Sequence, residues 1–566
     1  MSAKSRERGN ARFFFIIGIF FLGFLAIAIR LVNVQAVERE KYENLAKNQR
    51  LKSIEIPAKR GDIVDRNGNL LATSMDAITI YANPYFIKDP ENVASQLSSI
   101  LGINKKTILE KIDKDSGFVY IARKVDQSVV KRVKALKIEG IGFLNESKRC
   151  YPYNELASHV VGFVGIDNDG LVGLEMFYDD VLRGLPGHLL VEKDPIGRSI
   201  STGIFELSPS VDGKDIVLTI DRAIQFKAEE ELNSCIDKFN AKAGNIVVMR
   251  PDTGEILAIA NYPSFDLNNY TQTDSECFRN RAITDLFEPG STIKAIIGAA
   301  ALEERVAKPM DFFRLPDSIE VADKVIKESH KRPTEDFTFT KIITESSNVG
   351  AVVVGQKLGK KRIYDYLTAF GFNKKTGIDF PGEGQGYVPP PEKWSGSTIG
   401  NIPFGQGMSV TSLQMLQSFS TIANDGLLVK PYFLSKIIDS DGKIIKEVAP
   451  QQGEKVLSSK SAEQMKLILE KVVTEGTGEN AQISGYRVAG KTGTAQKAKE
   501  NGNGYEAGKY VSSFIGFAPV EEPRLAIIVV IDEPKTTFYG ATVAAPVFKN
   551  LAEFSLRYLK IPPGEE

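Results

Sequence analysis

An excess of charge of either sign is the first thing this sequence lacks. Lys plus Arg and Asp plus Glu each number 71 in 566 residues. No global field therefore favours nucleic acid or a strongly acidic partner, and no nucleic-acid binding is expected. Histidine and cysteine are nearly absent, at three each. His159, His188 and His330 are scattered, and no H-E-x-x-H or C-x-x-C spacing occurs. Neither a metal site nor a metal cofactor is expected. Cys150, Cys235 and Cys277 allow at most one internal disulfide, which excludes a disulfide scaffold. Internal repeats and low-complexity linkers are missing too. What is present is ordinary for folded domains, 42% apolar and 25% charged, in a chain long enough for two or three of them.

One hydrophobic run is long. FFFIIGIFFLGFLAIAI, Phe13 to Ile29, follows Lys4, Arg6, Arg8 and Arg12. As a helix it spans roughly 25 Å of a hydrocarbon core of about 30 Å; Leu31-Val32 extend it and Arg30 can snorkel. Ala26-Ile27-Ala28 would suit a cleavable signal, but the run exceeds the usual apolar core of about 7–15 residues for such a signal. The expectation is a cytoplasmic tail over 1–12 and a transmembrane helix over 13–32, with the rest of the chain outside a cell (inner) membrane.

Residues 33–210 form one expected module. IPAKRGDIVDRNGNLLAT holds an Asn67-Gly68 turn between β-like stretches, and NVASQLSSIL and QSVVKRVKALK read as helices. This is an α+β pattern with no cluster that suggests chemistry. Arg60-Gly61-Asp62, an adhesion-like triplet, is read as part of a turn. Turn formers from Ser208 to Asp215 mark a boundary, and 211–566 is the second expected domain. It opens with a hairpin, GNIVVMRPDTGEILAIANY, turning at Pro251–Gly254. A helical block, a Gly/Pro-rich stretch, more helix and a β-rich tail follow. Gly405 and Gly407, ahead of Thr411-Ser412-Leu413-Gln414, read as a loop entering a helix through a capping box.

The chemistry concentrates in three short motifs. In EPGSTIKAIIGAAAL, Ser291 opens a helix that is apolar almost all round, which marks it as a core helix. A cap explains the serine. It does not explain Lys294, a cation near the positive end of a buried helix. At i and i+3 the two side chains share a face, and a desolvated lysine can serve as the base that activates a serine. The second motif is Ser346-Ser347-Asn348, which could simply cap the next helix. The third is Lys491-Thr492-Gly493-Thr494. S-x-x-K, S-x-N and K-T-G in that order are far more specific than any one of them.

Gly485 to Thr492, GYRVAGKT, also matches the P-loop G-x-x-x-x-G-K-[ST], and LAIIVVIDEP follows it. A P-loop must open a helix. The residues after Lys491 have no apolar stripe, and VSSFIGFAPV and LAIIVVIDEP read as neighbouring strands of a meander, so an ATPase is a remote alternative.

With these motifs in order, the chain resembles the class B penicillin-binding proteins, the membrane-anchored D,D-transpeptidases that cross-link peptidoglycan. The resemblance runs almost end to end. It includes RGDIVDRNGNLLA, GLVGLEMFYDDVLRGLPG, IPFGQGMSVTSLQML and FYGATVAAPVF. It is nearest the division-specific branch, similar to the septal transpeptidase. Phe538-Tyr539-Gly540-Ala541 departs from the usual aromatic-Gly-Gly wording. The resemblance implies an α/β transpeptidase domain, with an antiparallel sheet flanked by helices, on an α+β pedestal. It implies Ser291 as nucleophile toward stem peptides of peptidoglycan precursors, Lys294 as base, and Ser346 and Lys491 as a proton relay. Asn348 would hold Lys294 and the substrate amide. Backbone N–H groups of Ser291 and Thr494 would form the oxyanion hole, and Thr492, Gly493 and Thr494 would line the carboxylate site. It further implies β-lactams as covalent inhibitors, a polytopic glycosyltransferase and other division proteins as partners, and no cofactor. A D,D-carboxypeptidase or a β-lactam sensor would share the same acylation site.

Overall fold

The structure is a computed structural model that describes residues 3–192, 205–499 and 504–564. Contacts group the chain into two units: 1–58 with 184–212, and 59–183 with 213–566. In the first unit a helix spans Ala3–Val32, a π-helical turn spans Asn33–Val37 and a helix spans Arg39–Arg50. The segment Phe13–Val37 is long and apolar enough to cross a membrane, and none of it is buried in protein. Phe14, Phe20 and Phe24 are each at least 66% exposed, an arrangement that only an apolar solvent tolerates over such a length. Leu51–Ile56, Gly187–Glu192 and Phe205–Ser208 complete this unit as a small antiparallel sheet.

In the second unit, residues 59–183 do not stand apart from the residues that follow 213. Ile63–Val64 pairs in parallel with Ile216 and Val217, and Asp215–Leu218 pairs in turn with Leu434–Ile438. The long strand Leu70–Ala82 follows the Gly68 turn (φ +82) and pairs with Val119–Val125 and Ile141–Cys150. Helices Pro90–Leu101 and Lys105–Ile112 bury Leu97 and Ile108 against Ile80 and Ile121. Arg60 is not in a turn. It is 2% exposed, with Nε 2.6 Å from Glu175 Oε2 and Nη1 2.6 Å from Asp179, while Arg149 Nε reaches the other Glu175 oxygen at 2.6 Å. An arginine buried in ion pairs cannot be presented by an adhesion loop.

Among the described residues one sheet has five strands: β1 Ala243–Met249, β2 Ile256–Tyr262, β3 Ala489–Ala498, β4 Tyr505–Ala518 and β5 Leu525–Asp532. Their order is β2-β1-β5-β4-β3, antiparallel throughout. The Pro251–Gly254 turn joins β1 to β2 as expected, with Gly254 at φ +83. Both faces of the sheet are covered at β1, β2 and β5, so those strands read as near-continuous apolar runs. Ile246 and Val248 of β1 join Val529 and Ile531 of β5 beneath helices α1 (Arg222–Phe239) and α6 (Ala545–Tyr558). Val247, Met249, Ile528 and Val530 face the opposite core. That core is built on α2 (Ile293–Glu303), α3 (Asn348–Leu358), α4 (Ser412–Ala423) and α5 (Ser459–Thr474). β3 is an edge strand with a partner on one side only.

Candidate active site

The sequence around Ser291 forces a tight approach of two backbones. Gly290 has φ +55 and opens a 3₁₀ turn, Gly290–Thr292, that leads into α2. Its N–H donates to Gly405 O at 3.1 Å. A Cβ on Gly405 would lie 2.1 Å from Gly290 O, so the G-x-G loop expected to be purely structural also seats the turn that carries Ser291. The capping box that follows is present, between Thr411 and Gln414. Ser291 is partly exposed at the mouth of a helix buried from Ile293 to Leu302. Its Oγ makes no hydrogen bond among the described residues.

Lys294 is 1% exposed and Lys491 is fully buried. Neither has a carboxylate within ion-pair distance among the described residues. Lys294 Nζ donates to Ser346 O at 2.6 Å and to Asn348 Oδ1 at 2.7 Å, and lies 3.3 Å from Ser346 Oγ. Lys491 Nζ lies 2.9 Å from the same Ser346 Oγ and 3.3 Å from Thr492 O. Burial pushes the Lys491 amine down to about 7. Burial, then the Lys491 charge, holds Lys294 well below the ordinary lysine range, against an opposing pull from Glu328. A neutral amine has two N–H donors and one lone pair. In that form the two short contacts from Lys294, both to acceptor oxygens, would use its donors and leave the lone pair free to take a proton. The i, i+3 spacing allows Ser291 Oγ and Lys294 Nζ to meet. Here Nζ is directed at the S-S-N loop instead, whose fixed oxygens accept its N–H groups.

That loop divides its labour. Ser347 caps α3, its Oγ accepting from Gly350 N at 2.8 Å. This leaves Ser346 and Asn348 free to face the lysines. Ser346 has φ +57, left-handed backbone that costs a residue with a Cβ of order 1–3 kcal/mol and that clusters at functional sites. Asn348 Nδ2 donates to Lys327 O at 3.1 Å, which turns Oδ1 toward Lys294.

Lys491 to Thr494 lie inside β3, paired with β4 from Lys491↔Ile515 to Thr494↔Ser512. The apparent P-loop is therefore a turn at Gly485 (φ +79) followed by a strand, with no helix opening after Lys491. Gly493 is where the Ser291 turn meets the strand. A Cβ there would sit 2.9 Å from Thr292 Cγ2 and 3.2 Å from Pro289 O. Thr492 Oγ1 is 3.1 Å from Thr477 Oγ1, and Thr494 Oγ1 accepts from Gly540 N at 3.1 Å. A Cβ on Gly540 would meet Gly493 O at 2.3 Å. The departure at Ala541 thus falls on the neighbour of the glycine that packs against the strand.

The fold brings all eight expected residues together. Lys294, Ser346, Asn348 and Lys491 connect through hydrogen bonds, Thr492 and Thr494 flank them on β3, and Gly493 abuts the Ser291 turn. Sequence reasoning missed Glu328, Gly405 as a backbone contact, and Thr477. Only Gly405 had a local signal, its G-x-G.

The family profile of the penicillin binding protein transpeptidase domain matches residues 244–553, and that of the penicillin-binding protein dimerisation domain matches 55–218. The chain belongs to the class B penicillin-binding proteins. Among relatives of this family, stage V sporulation protein D of Bacillus subtilis is 37% identical over 98% of this chain and 86% of its own length. The peptidoglycan D,D-transpeptidase FtsI of Escherichia coli is 32% identical over 95% and 91%. The solved structure of penicillin binding protein 3 from Mycobacterium tuberculosis, complexed with aztreonam, superposes with a TM-score of 0.72 at 30% identity, covering 90% of this chain and 98% of that one. A peptidoglycan synthetase from Bifidobacterium adolescentis gives 0.74 at 27%, covering 91% and 98%. In this penicillin-binding protein the described cysteines are all unpaired.

Proposed function

We propose that this class B penicillin-binding protein is a serine D,D-transpeptidase that cross-links peptidoglycan stem peptides through an acyl-enzyme on Ser291. The observation that carries the reading is a single hydroxyl, Ser346 Oγ, held between two buried lysine amines at 3.3 and 2.9 Å. The donor stem peptide adds to the free edge of β3 as an extended strand. Thr492 and Thr494 beside Lys491 take its terminal carboxylate. Ser291 Oγ attacks the carbonyl carbon of the penultimate D-Ala, and its proton passes to the Lys294 lone pair. Backbone N–H groups of Ser291 and Thr494 stabilise the oxyanion, a contribution worth several kcal/mol, about 3–4 for one donor. The C–N bond breaks, and Ser346 with Lys491 relays a proton to the leaving amine of the terminal D-Ala. The amine of a second stem then attacks the ester. A new amide forms as the attacking nitrogen gives up a proton to Lys491 through Ser346, and Ser291 Oγ leaves with the proton returned from Lys294. A β-lactam enters by the same attack and stops at the ester.

The N-terminal helix anchors the chain in the cell membrane, with the basic residues before Phe13 in the cytoplasm and the catalytic domain outside. A septal role, together with a polytopic glycosyltransferase and other division proteins as partners, completes the reading, supported by the likeness to FtsI. Labelled penicillin tests the core of it. A covalent adduct on the wild type that disappears in Ser291→Ala is expected, and an adduct that survives that substitution refutes the assignment. ATP binding abolished by Lys491→Ala would revive the nucleotide alternative. A fluorescent fusion that spreads evenly around the dividing cell would refute the septal role.

A further inference from the structure

Asn348 is held from behind by one short stretch of chain. Lys327 and Glu328 leave the strand Lys324–Lys327 and run directly beneath the S-S-N loop. Lys327 O takes the Asn348 side-chain amide at 3.1 Å, and Glu328 Oε2 takes the Asn348 backbone N–H at 2.8 Å. The other Glu328 oxygen accepts from Ser347 Oγ and from Arg332, whose Nη2 lies 2.7 Å away. The Glu328 side chain is only 5% exposed. A carboxylate at the first turn of α3 is well matched to the helix dipole, but that does not account for its other relation. Glu328 is the anion that acts on Lys294, opposing both its burial and the Lys491 charge.

We infer that Glu328 is a positioning residue for acylation: it clamps Asn348 so that Oδ1 stays on Lys294, and it places a carboxylate directly behind the loop that Lys294 faces. The charged groups around Lys294 are Lys491 on β3 and Glu328 on this loop, with Arg332 behind Glu328. The inference rests on Ser291 acylation and extends it by a residue outside all three motifs. Without the carboxylate, Lys294 would lose the anion that favours its charged form, and Asn348 would lose the contact that fixes its main chain.

The test is the acylation rate of the full-length protein in detergent by a fluorescent penicillin, followed from about pH 6 to pH 10, the range below the free-lysine value. The rate rises as the base loses its proton, so the acid limb reports that base. Glu328→Gln removes the anion, so charging the lysine becomes harder. The limb moves to lower pH by about one unit, and the plateau falls about tenfold to a hundredfold through the misplaced Asn348. Glu328→Asp restores part of both. Arg332→Met removes the cation behind Glu328 and moves the limb the other way, to higher pH. Melting temperatures are measured alongside. Limbs that stay at the wild-type position in both variants, or move in the same direction, overturn the inference. So does a Glu328→Gln rate lost only in proportion to folded protein. If Glu328→Gln does not fold, Arg332→Met decides: an upward shift supports the inference and no shift overturns it. Absence of label on the wild type is a separate result, and it removes the transpeptidase reading and this inference together.

Discussion

Gly493→Ala puts the contact between β3 and the Gly290–Thr292 turn to a quantitative test. The added methyl would stand 2.3 Å from Ser513 Oγ, 2.9 Å from Thr292 Cγ2 and 3.2 Å from Pro289 O. The Ser513 hydroxyl can rotate away. Thr292 cannot, because it is β-branched, 2% exposed and tied through Oγ1 to Pro289 O at 2.7 Å. Carbon–carbon contacts settle at about 3.5–4.0 Å, so the turn must withdraw from β3 by roughly 0.6–1 Å. Overpacking of that kind costs about 1–3 kcal/mol. The kinetic cost is larger, since Ser291 follows Gly290 in the same turn and a shift of about 1 Å at a reacting group can cost about a hundredfold. Stopped-flow acylation by a fluorescent penicillin, paired with chemical denaturation, separates the two effects. Thr292→Ser deletes the offending methyl and keeps the hydroxyl bond, so the double variant Gly493→Ala/Thr292→Ser recovers part of the rate. Gly493→Ala acylating at the wild-type rate would refute the packing argument, as would a double variant no faster than the single one.

Three further outcomes are expected. Burial lowers the folded-state value of Lys491 to about 7 while the unfolded chain keeps a value of about 10.4. Between these the unfolded state binds more protons, so this lysine's penalty is full below about pH 7 and fades as pH rises through that window; Lys491→Met should therefore raise the melting temperature more at pH 6 than at pH 10, and an equal change at both pH values would contradict this. Glu175→Gln leaves Arg60 and Arg149, each 2.6 Å from a different Glu175 oxygen, competing for one acceptor in a site where Glu175 is 0% exposed, and should cost about 3–5 kcal/mol by urea denaturation. Removal of residues 1–32 should release the protein from membranes in fractionation while penicillin labelling persists, and a truncated protein that still sediments with membranes would remove the anchor from that helix.

Much of this protein is legible one segment at a time. The apolar run after Phe13, the Pro251–Gly254 hairpin and the Thr411–Gln414 capping box all depend on near neighbours, through periodicity, turn residues and caps. The three motifs were legible for a related reason, since each packs its chemistry into four residues or fewer. Their meeting point was not. That Lys294 turns to Ser346 and Asn348 follows from α2 lying against α3. The entry of β5 between β1 and β4 makes β3 an edge, and no residue of β3 announces that alone. Glu328 had no signal at all, because a single buried carboxylate acquires its role only when a strand end twenty positions away passes beneath a helix N-terminus. Sequence by itself determined which residues could do the chemistry, since reactivity belongs to side chains. Tertiary structure decided which protons those residues hold and what they face, because desolvation and hydrogen bonding are properties of the folded neighbourhood.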